Sequence, residues 1–310
     1  MTSTRITTPF KRESTTTEVL AGVDLTGKRA VVTGGGSGLG AEVARALVAA
    51  GADVTIGVRT LKAGERTAAG ITSRTGKRDV RAATLDVADP SSIAEFVDAW
   101  QGPLDILVNN AGVMALPERT LTPEGWELHF ANNHLGHFAL TVGLHAALAA
   151  ADNARVVSVS SRDHRLSPVD FDDLFFTNRE YDKWAAYGQS KTANALFAVE
   201  AAKRWADDGI LANAVAPGAV RTALQRHQTS HEELAQLDAF PWIPLEQGAS
   251  TAVLAAASPL LDGITGRYFE DNNEAATTDD PQTQGAVRPY ALDPEAASRL
   301  WEVSLELTKA

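Results

Sequence analysis

A chain of 310 residues, 44% hydrophobic and 22% charged, has an ordinary globular composition and enough length for one large α/β domain or two small ones. No stretch approaches the roughly 18 consecutive apolar residues of a membrane span, and a net charge of −11 argues against the basic face that nucleic-acid binding needs. The absence of Cys excludes disulfides, thiolate metal sites and Cys nucleophiles.

Residues 1–24 are rich in Thr and Ser and poor in apolar residues, which predicts a flexible N-terminal arm rather than a surface strap. No apolar stretch follows the arm's basic residues, so it does not read as a secretory signal and the cytoplasm is the default location. From Arg29 onward, short β-branched runs alternate with longer amphipathic stretches, the signature of repeated βα units. Strands are predicted at Ala30–Thr33, Val54–Val58, Ala82–Leu85, Ile106–Asn109, Val156–Ser160, Ala212–Val215 and Arg267–Glu270. The expected fold is therefore α/β: a single doubly wound, Rossmann-type parallel sheet of about seven strands with helices on both faces, spanning residues 25–275. Residues 276–310 form a C-terminal extension in which Asp293–Leu307 reads as one capped helix with Pro294 in its first turn.

The first strand runs straight into Thr33-Gly34-Gly35-Gly36-Ser37-Gly38-Leu39-Gly40, where a helix begins. Glycines there permit positive φ and a close backbone approach to a pyrophosphate, and the helix N-terminus adds free N–H donors. The second strand ends Gly57-Val58-Arg59-Thr60, with no carboxylate before Glu65, so nothing repels a ribose 2′-phosphate and Arg59 offers a cationic fork for it. NADP(H) is the expected cofactor, with Lys62 a candidate second cation. Further on, Tyr187 and Lys191 lie four apart in a helical pattern, so their side chains can converge. A neighbouring ammonium favours phenolate, which would lower the Tyr187 phenol towards the range useful for acid/base work. Ser161 ends the preceding strand, where its hydroxyl could hold a substrate oxygen.

The ordered set Thr33 to Gly40, Asn109-Asn110-Ala111-Gly112, Ser161, Tyr187 with Lys191, and Pro217-Gly218 resembles the short-chain dehydrogenase/reductase family over roughly residues 27–225. The resemblance implies a catalytic tetrad of Asn133, Ser161, Tyr187 and Lys191, Asn133 acting through a water relay. It also implies cofactor contacts from Gly34, Ser37, Gly38, Leu39, Gly40, Asp86, Val87, Asn109, Ala111, Gly112, Pro217, Gly218 and Thr222, joined by Tyr187 and Lys191. The string Asn133-His134-Leu135-Gly136-His137-Phe138, Arg59, and the long gap from Ser161 to Tyr187 are most similar to the subgroup of retinol dehydrogenases and WW-domain oxidoreductases. An N-terminal membrane anchor of the kind those retinol dehydrogenases carry is not expected here.

The gap carries Phe171, Leu174, Phe175, Phe176, Tyr181 and Trp184. With Leu224, Phe240, Trp242 and Ile243 they are expected to form a mobile apolar lid for a lipophilic carbonyl or alcohol; the same aromatics would equally serve as cover for the sheet edge. His129, His134 and His137 lack further ligands at metal spacing and read as packing residues. The expected activity is hydride transfer between NADP(H) and a carbonyl or secondary alcohol. A homo-oligomer is compatible with it. The alternatives are an NAD-dependent secondary-alcohol or steroid-like dehydrogenase and a noncatalytic NADP-binding regulator.

Overall fold

The computed structural model describes residues 5–280 and 283–309. Its main sheet contains β1 (Arg29–Thr33), β2 (Asp53–Val58), β3 (Val80–Thr84), β4 (Ile106–Asn109), β5 (Arg155–Val159), β6 (Leu211–Ala216), β7 (Tyr268–Glu270) and β8 (Asn273–Glu274). The spatial order is β3-β2-β1-β4-β5-β6-β7-β8, parallel from β3 to β7, with β8 antiparallel to β7. The seven predicted strands all form, within two residues of their expected ends. The eighth escapes prediction because a two-residue return strand has no periodicity to read.

Central strands such as β4 and β5 are buried at every residue, since helices cover both faces. One core layer holds Leu47, Ile56, Val108 and Leu254, packing the helices Gly38–Ala49, Leu61–Thr75 and Ser250–Ala257 on one face. The other holds Leu107, Phe138, Phe197 and Trp301, beneath the helices Pro90–Ala99, Gly136–Gly143 and Lys183–Arg204. The chain winds outward in opposite directions from β1 and β4. Their carboxyl ends therefore diverge into a crevice, the place where doubly wound sheets bind ligands.

The N-terminal segment departs from expectation, whereas the C-terminal helix forms where it was expected, Pro294–Thr308 with Asp293 as its cap. Residues 5–24 are strapped down rather than free: the Ile6 N–H donates to Glu274 Oε2 at 2.8 Å, and Thr8 N–H to Asn273 Oδ1 at 2.8 Å. Val19 and Leu20 enter the core, and Thr16 Oγ donates to the buried Glu42 at 2.7 Å. A polar segment is held because sheet-edge side chains supply the partners that its composition cannot. The C-terminal helix Pro294–Thr308 packs onto the sheet's covering layer. Its Trp301 meets Phe138, Phe197 and Trp205 with ring centroids at 5.0, 5.8 and 5.2 Å. Among the described residues no helix is long and apolar enough to cross a membrane.

Candidate active site

At the carboxyl end of β1, Gly34 has φ +64°, and a Cβ added there would lie 2.9 Å from Ala111 Cα, so the loop can only close against β4 with glycine. Thr33 ties the two strands together. Its Oγ accepts the Asn110 and Ala111 N–H groups at 2.8 and 2.9 Å, and Asn110 Nδ2 returns a bond to Thr33 O at 2.8 Å. The Thr33 hydroxyl also meets His137 Nε2 at 2.8 Å, while His137 Nδ1 faces the Asn133 carbonyl at 2.9 Å. A carbonyl only accepts, so Nδ1 carries the proton and Nε2 accepts from Thr33. Burial holds His137 down to about 4, keeping it neutral. His134 bonds Ser304 Oγ at 2.8 Å and His129 bonds Glu127 at 2.7 Å. The histidine cluster is structural, and among the described residues no group of His, Asp and Glu could hold a metal.

From the glycine loop a cleft of about 650 Å³ runs to Tyr187. It is lined by Gly34, Ser37, Gly38, Leu39, Gly40, Arg59, Asp86, Val87, Ala111, Gly112, Ser161, Tyr187, Lys191, Pro217, Gly218 and Thr222, residues scattered over most of the chain. Two expected site residues, the cofactor contact Asn109 and the tetrad member Asn133, are absent from its walls. Asn109 is buried on Thr141 Oγ at 2.8 Å, and its neighbour Asn110 takes the wall instead. Alternation along a strand explains the exchange, because successive side chains point to opposite faces. Asn133 is fully buried in the π-helical turn Ala131–Leu135. Its Oδ1 accepts the Val113 N–H at 2.9 Å, and its Nδ2 donates to Val113 O at 3.0 Å and Ser190 Oγ at 2.9 Å. With its carbonyl engaged by His137, Asn133 braces the floor of the site, and Asn132 faces the cleft. The adjoining Gly136 is required by contact: a Cβ there would stand 1.7 Å from Val87 O.

Ser161, Tyr187 and Lys191 come together at the far end. Ser161 caps the 3-10 turn Arg162–Leu166, its Oγ accepting the Asp163 N–H at 3.1 Å. Its carbonyl is pinned by His164 Nδ1 at 2.7 Å and Tyr268 Oη at 2.9 Å. The helix Lys183–Arg204 carries Tyr187 and Lys191, and Lys191 Nζ donates to Val159 O at 2.9 Å. The ammonium lies 5.7 Å from the centre of the Tyr187 ring. Burial, with the Asp163 charge adding to it and a Ser161 hydrogen bond opposing, holds the Tyr187 phenol well above its ordinary value. That reverses the expected depression. Burial also brings Lys191 down to about 7, partly offset by Asp163.

The aromatic insertion turns mostly away from the cleft. Phe171, Leu174 and Phe175 pack on Trp126, Phe130 and Leu300. Phe176 lies under the Arg179 guanidinium at 3.8 Å, and Tyr181 Oη donates to Leu116 O at 3.0 Å. Among the insertion aromatics only Trp184 reaches the cleft wall, so this part of the expected lid is cover for the C-terminal helix. The segment after Thr222 does form a wall, through Leu224, Leu237, Phe240 and Trp242. An ion pair between Lys183 and Glu233 latches it to the start of the Tyr187 helix. Sequence reasoning missed Asn110, Asn132 and four charged residues, Arg162, Asp163, Arg226 and Glu233, which also line the cleft. Arg226 faces Arg59 closely enough for their like charges to repel, whereas Lys62 is exposed outside the cleft wall. No motif carries Arg226, since its place depends on how a surface segment folds back.

A family model described as short chain dehydrogenase matches residues 28–233. A probable oxidoreductase of Streptomyces lividans is 54% identical over 298 residues, covering 93% of this chain and 100% of the relative. Human retinol dehydrogenase 12 is 38% identical over 289 residues, covering 92% of this chain and 87% of the relative. The solved complex of Pseudomonas aeruginosa RhlG with NADP is 27% identical with a TM-score of 0.62, covering 80% of this chain and 96% of that one. A glycine loop, a buried Tyr and Lys one turn apart and a serine at the end of the fifth strand agree with these likenesses: the chain belongs to the short-chain dehydrogenase family of oxidoreductases, which bind nicotinamide cofactors.

Proposed function

We propose that this protein interconverts a carbonyl and a secondary alcohol with NADP(H), using Tyr187 as the acid/base and taking a lipophilic substrate. The observation that carries the proposal is the single cleft joining the glycine loop and Arg59 at one end to Ser161, Tyr187 and Lys191 at the other. The residues fit the cofactor. The Gly34 cradle and the N-terminus of the helix Gly38–Ala49, whose Ser37 makes no side-chain cap, offer amides to a pyrophosphate. Neither Arg59 nor Arg226 forms an ion pair with a carboxylate among the described residues, and an anion between them relieves their repulsion. A 2′-phosphate is such an anion.

When bound, the nicotinamide donates or accepts the hydride. The Ser161 hydroxyl donates a hydrogen bond to the substrate oxygen, and the Tyr187 phenol passes its proton to the same oxygen as the carbonyl is reduced. A buried phenol held above its ordinary value rests protonated, the form that reduction uses. Lys191, anchored on Val159 O, binds ribose hydroxyls and stabilises the phenolate left behind. Asn133 serves as a positioning residue, its side chain fixing Val113 and Ser190 under the site. Apolar Met114, Trp184, Leu224 and Trp242 favour a lipophilic body on the substrate. Initial rates with NADPH and NADH over a panel of ketones test the proposal. We expect kcat/KM to favour NADPH by at least about tenfold; preference for NADH, or no turnover of any ketone, would defeat it.

A further inference from the structure

Asp163 lines the cleft together with Ser161 and Tyr187, and its charge acts on the Tyr187 phenol. Its backbone is fixed two residues after Ser161, where its N–H bonds the serine Oγ at 3.1 Å and the 3-10 turn that contains it packs on Gly188. The half-buried carboxyl lies within hydrogen-bonding reach of the same Ser161 hydroxyl and within Coulombic reach of Lys191 and Tyr187. Arg162 and Arg165 flank it in sequence but do not pair with it. Arg162 is committed to Glu270 and Asp271, and Arg165 to Glu270. No ion pair to Asp163 is formed by any described residue, and burial holds its carboxyl above the usual carboxylate value.

A carboxylate has acceptor sites for about four donors, and one serine hydroxyl leaves most of them unfilled. Such a group, partly removed from water, is stabilised by a donor that arrives with the ligand. Ser161 sharpens the point because it has a single proton. If that proton turns to Asp163, it is lost to the substrate carbonyl. A plain ketone must therefore compete with Asp163 for the serine, whereas a substrate bringing its own hydroxyl to Asp163 releases Ser161 to hold the carbonyl oxygen. Since Asp163 and the substrate oxygen share Ser161 as a neighbour, the reachable position on the substrate is the carbon next to the carbonyl.

We infer that Asp163 is a specificity residue that accepts a hydrogen bond from a hydroxyl on the carbon adjacent to the reacting centre, so that the enzyme selects α-hydroxy ketones, and vicinal diols in the reverse direction, over plain ketones. The inference rests on the oxidoreductase reading above. It refines the substrate class to a molecule with an apolar body and a polar α-carbon. The reaction is unchanged: hydride reaches the carbonyl carbon, the Tyr187 proton reaches its oxygen, and the α-hydroxyl stays intact.

The test uses the full chain with NADPH and two ketones of one shape, 2-hydroxyacetophenone and propiophenone, in which a hydroxyl replaces a methyl. The wild type is expected to favour the hydroxy ketone in kcat/KM by at least about tenfold, the effect of one hydrogen bond to a charged group. Asp163→Ala should erase that preference, bringing the ratio of kcat/KM for the two ketones to within about threefold of unity whatever the change in absolute rate through Tyr187 and Lys191, and NADPH affinity by fluorescence titration should stay within about threefold. Asp163→Asn, which preserves shape without charge, should fall between. Wild-type turnover of both ketones without preference overturns the specificity role, as does an equal loss on both ketones in Asp163→Ala with normal NADPH binding. A wild type that fails to bind NADPH, or reduces neither ketone with either cofactor, overturns the oxidoreductase reading and this inference with it.

Discussion

Tyr187 and Lys191 sit one helical turn apart, and burial acts on both by penalising the charged form: the phenol is pushed up and the ammonium down to about 7. Tyr187→Phe is expected to leave NADPH binding within a few fold while lowering kcat by at least about 10²-fold; near-normal turnover of a ketone by this variant would remove Tyr187 from the mechanism. Lys191→Met should damage both NADPH affinity and kcat, because one ammonium is asked to serve ribose and phenol, and a loss confined to kcat contradicts that double role. At the other end of the cleft Arg59→Asp substitutes a carboxylate for a cation beside Arg226. The ratio of kcat/KM for NADPH over NADH should then fall by at least about tenfold, and a variant that retains its NADPH preference makes Arg59 a bystander.

At the scale of elements, the aromatic insertion and the segment after Thr222 look alike in sequence yet do different work. Phe175 packs edge-on to Phe130 with centroids 6.0 Å apart, in the layer that seats the C-terminal helix, whereas Phe240 and Trp242 pair at 4.5 Å on the cleft wall. Phe175→Ala should accordingly lower the melting temperature without altering the preference between bulky and small ketones, and Trp242→Ala should raise KM for bulky ketones more than for small ones. The reverse pattern would return the lid role to the insertion. The helix Pro294–Thr308 contributes through Trp301, only 5% exposed. Trp301→Ala is expected to cost about 3–5 kcal/mol of stability in denaturant titration, with NADPH affinity retained in the folded fraction; a loss under about 1 kcal/mol would mean the helix is peripheral.

Across the whole molecule, burial keeps three histidines neutral: His134 is held down to about 3, and His137 and His164 to about 4, against 6.5 in the open chain. Below 6.5 the unfolded chain takes up these protons and the native one does not, so stability is fully present above pH 6.5 and declines as pH falls towards 4. Unfolding midpoints measured from pH 7.5 to 4.5 should fall, with a smaller slope in His134→Asn; a flat profile would show that these rings meet water. The strands of the parallel sheet, the glycine loop after β1 and the Tyr187 and Lys191 pair were legible because each is written in local spacing, of period two, of consecutive glycines or of one helical turn. The same locality explains the failures. Asn109 and Asn110 differ only in which side of a strand end they face, and Asp163 and Arg226 gain their place from Glu270 drawing away flanking arginines and from a surface segment folding over the cleft. The packed N-terminal strap and C-terminal helix depend on partners some 170 to 268 residues away, such as Ser304 for His134 and Glu274 for Ile6. Sequence by itself determined the fold class and the family, since those reside in short-range pattern. Tertiary structure alone decided the burial that shifts Tyr187 and Lys191, the second cation on the cleft wall and the carboxylate near the serine, because burial and long-range contact set which groups meet and in what dielectric.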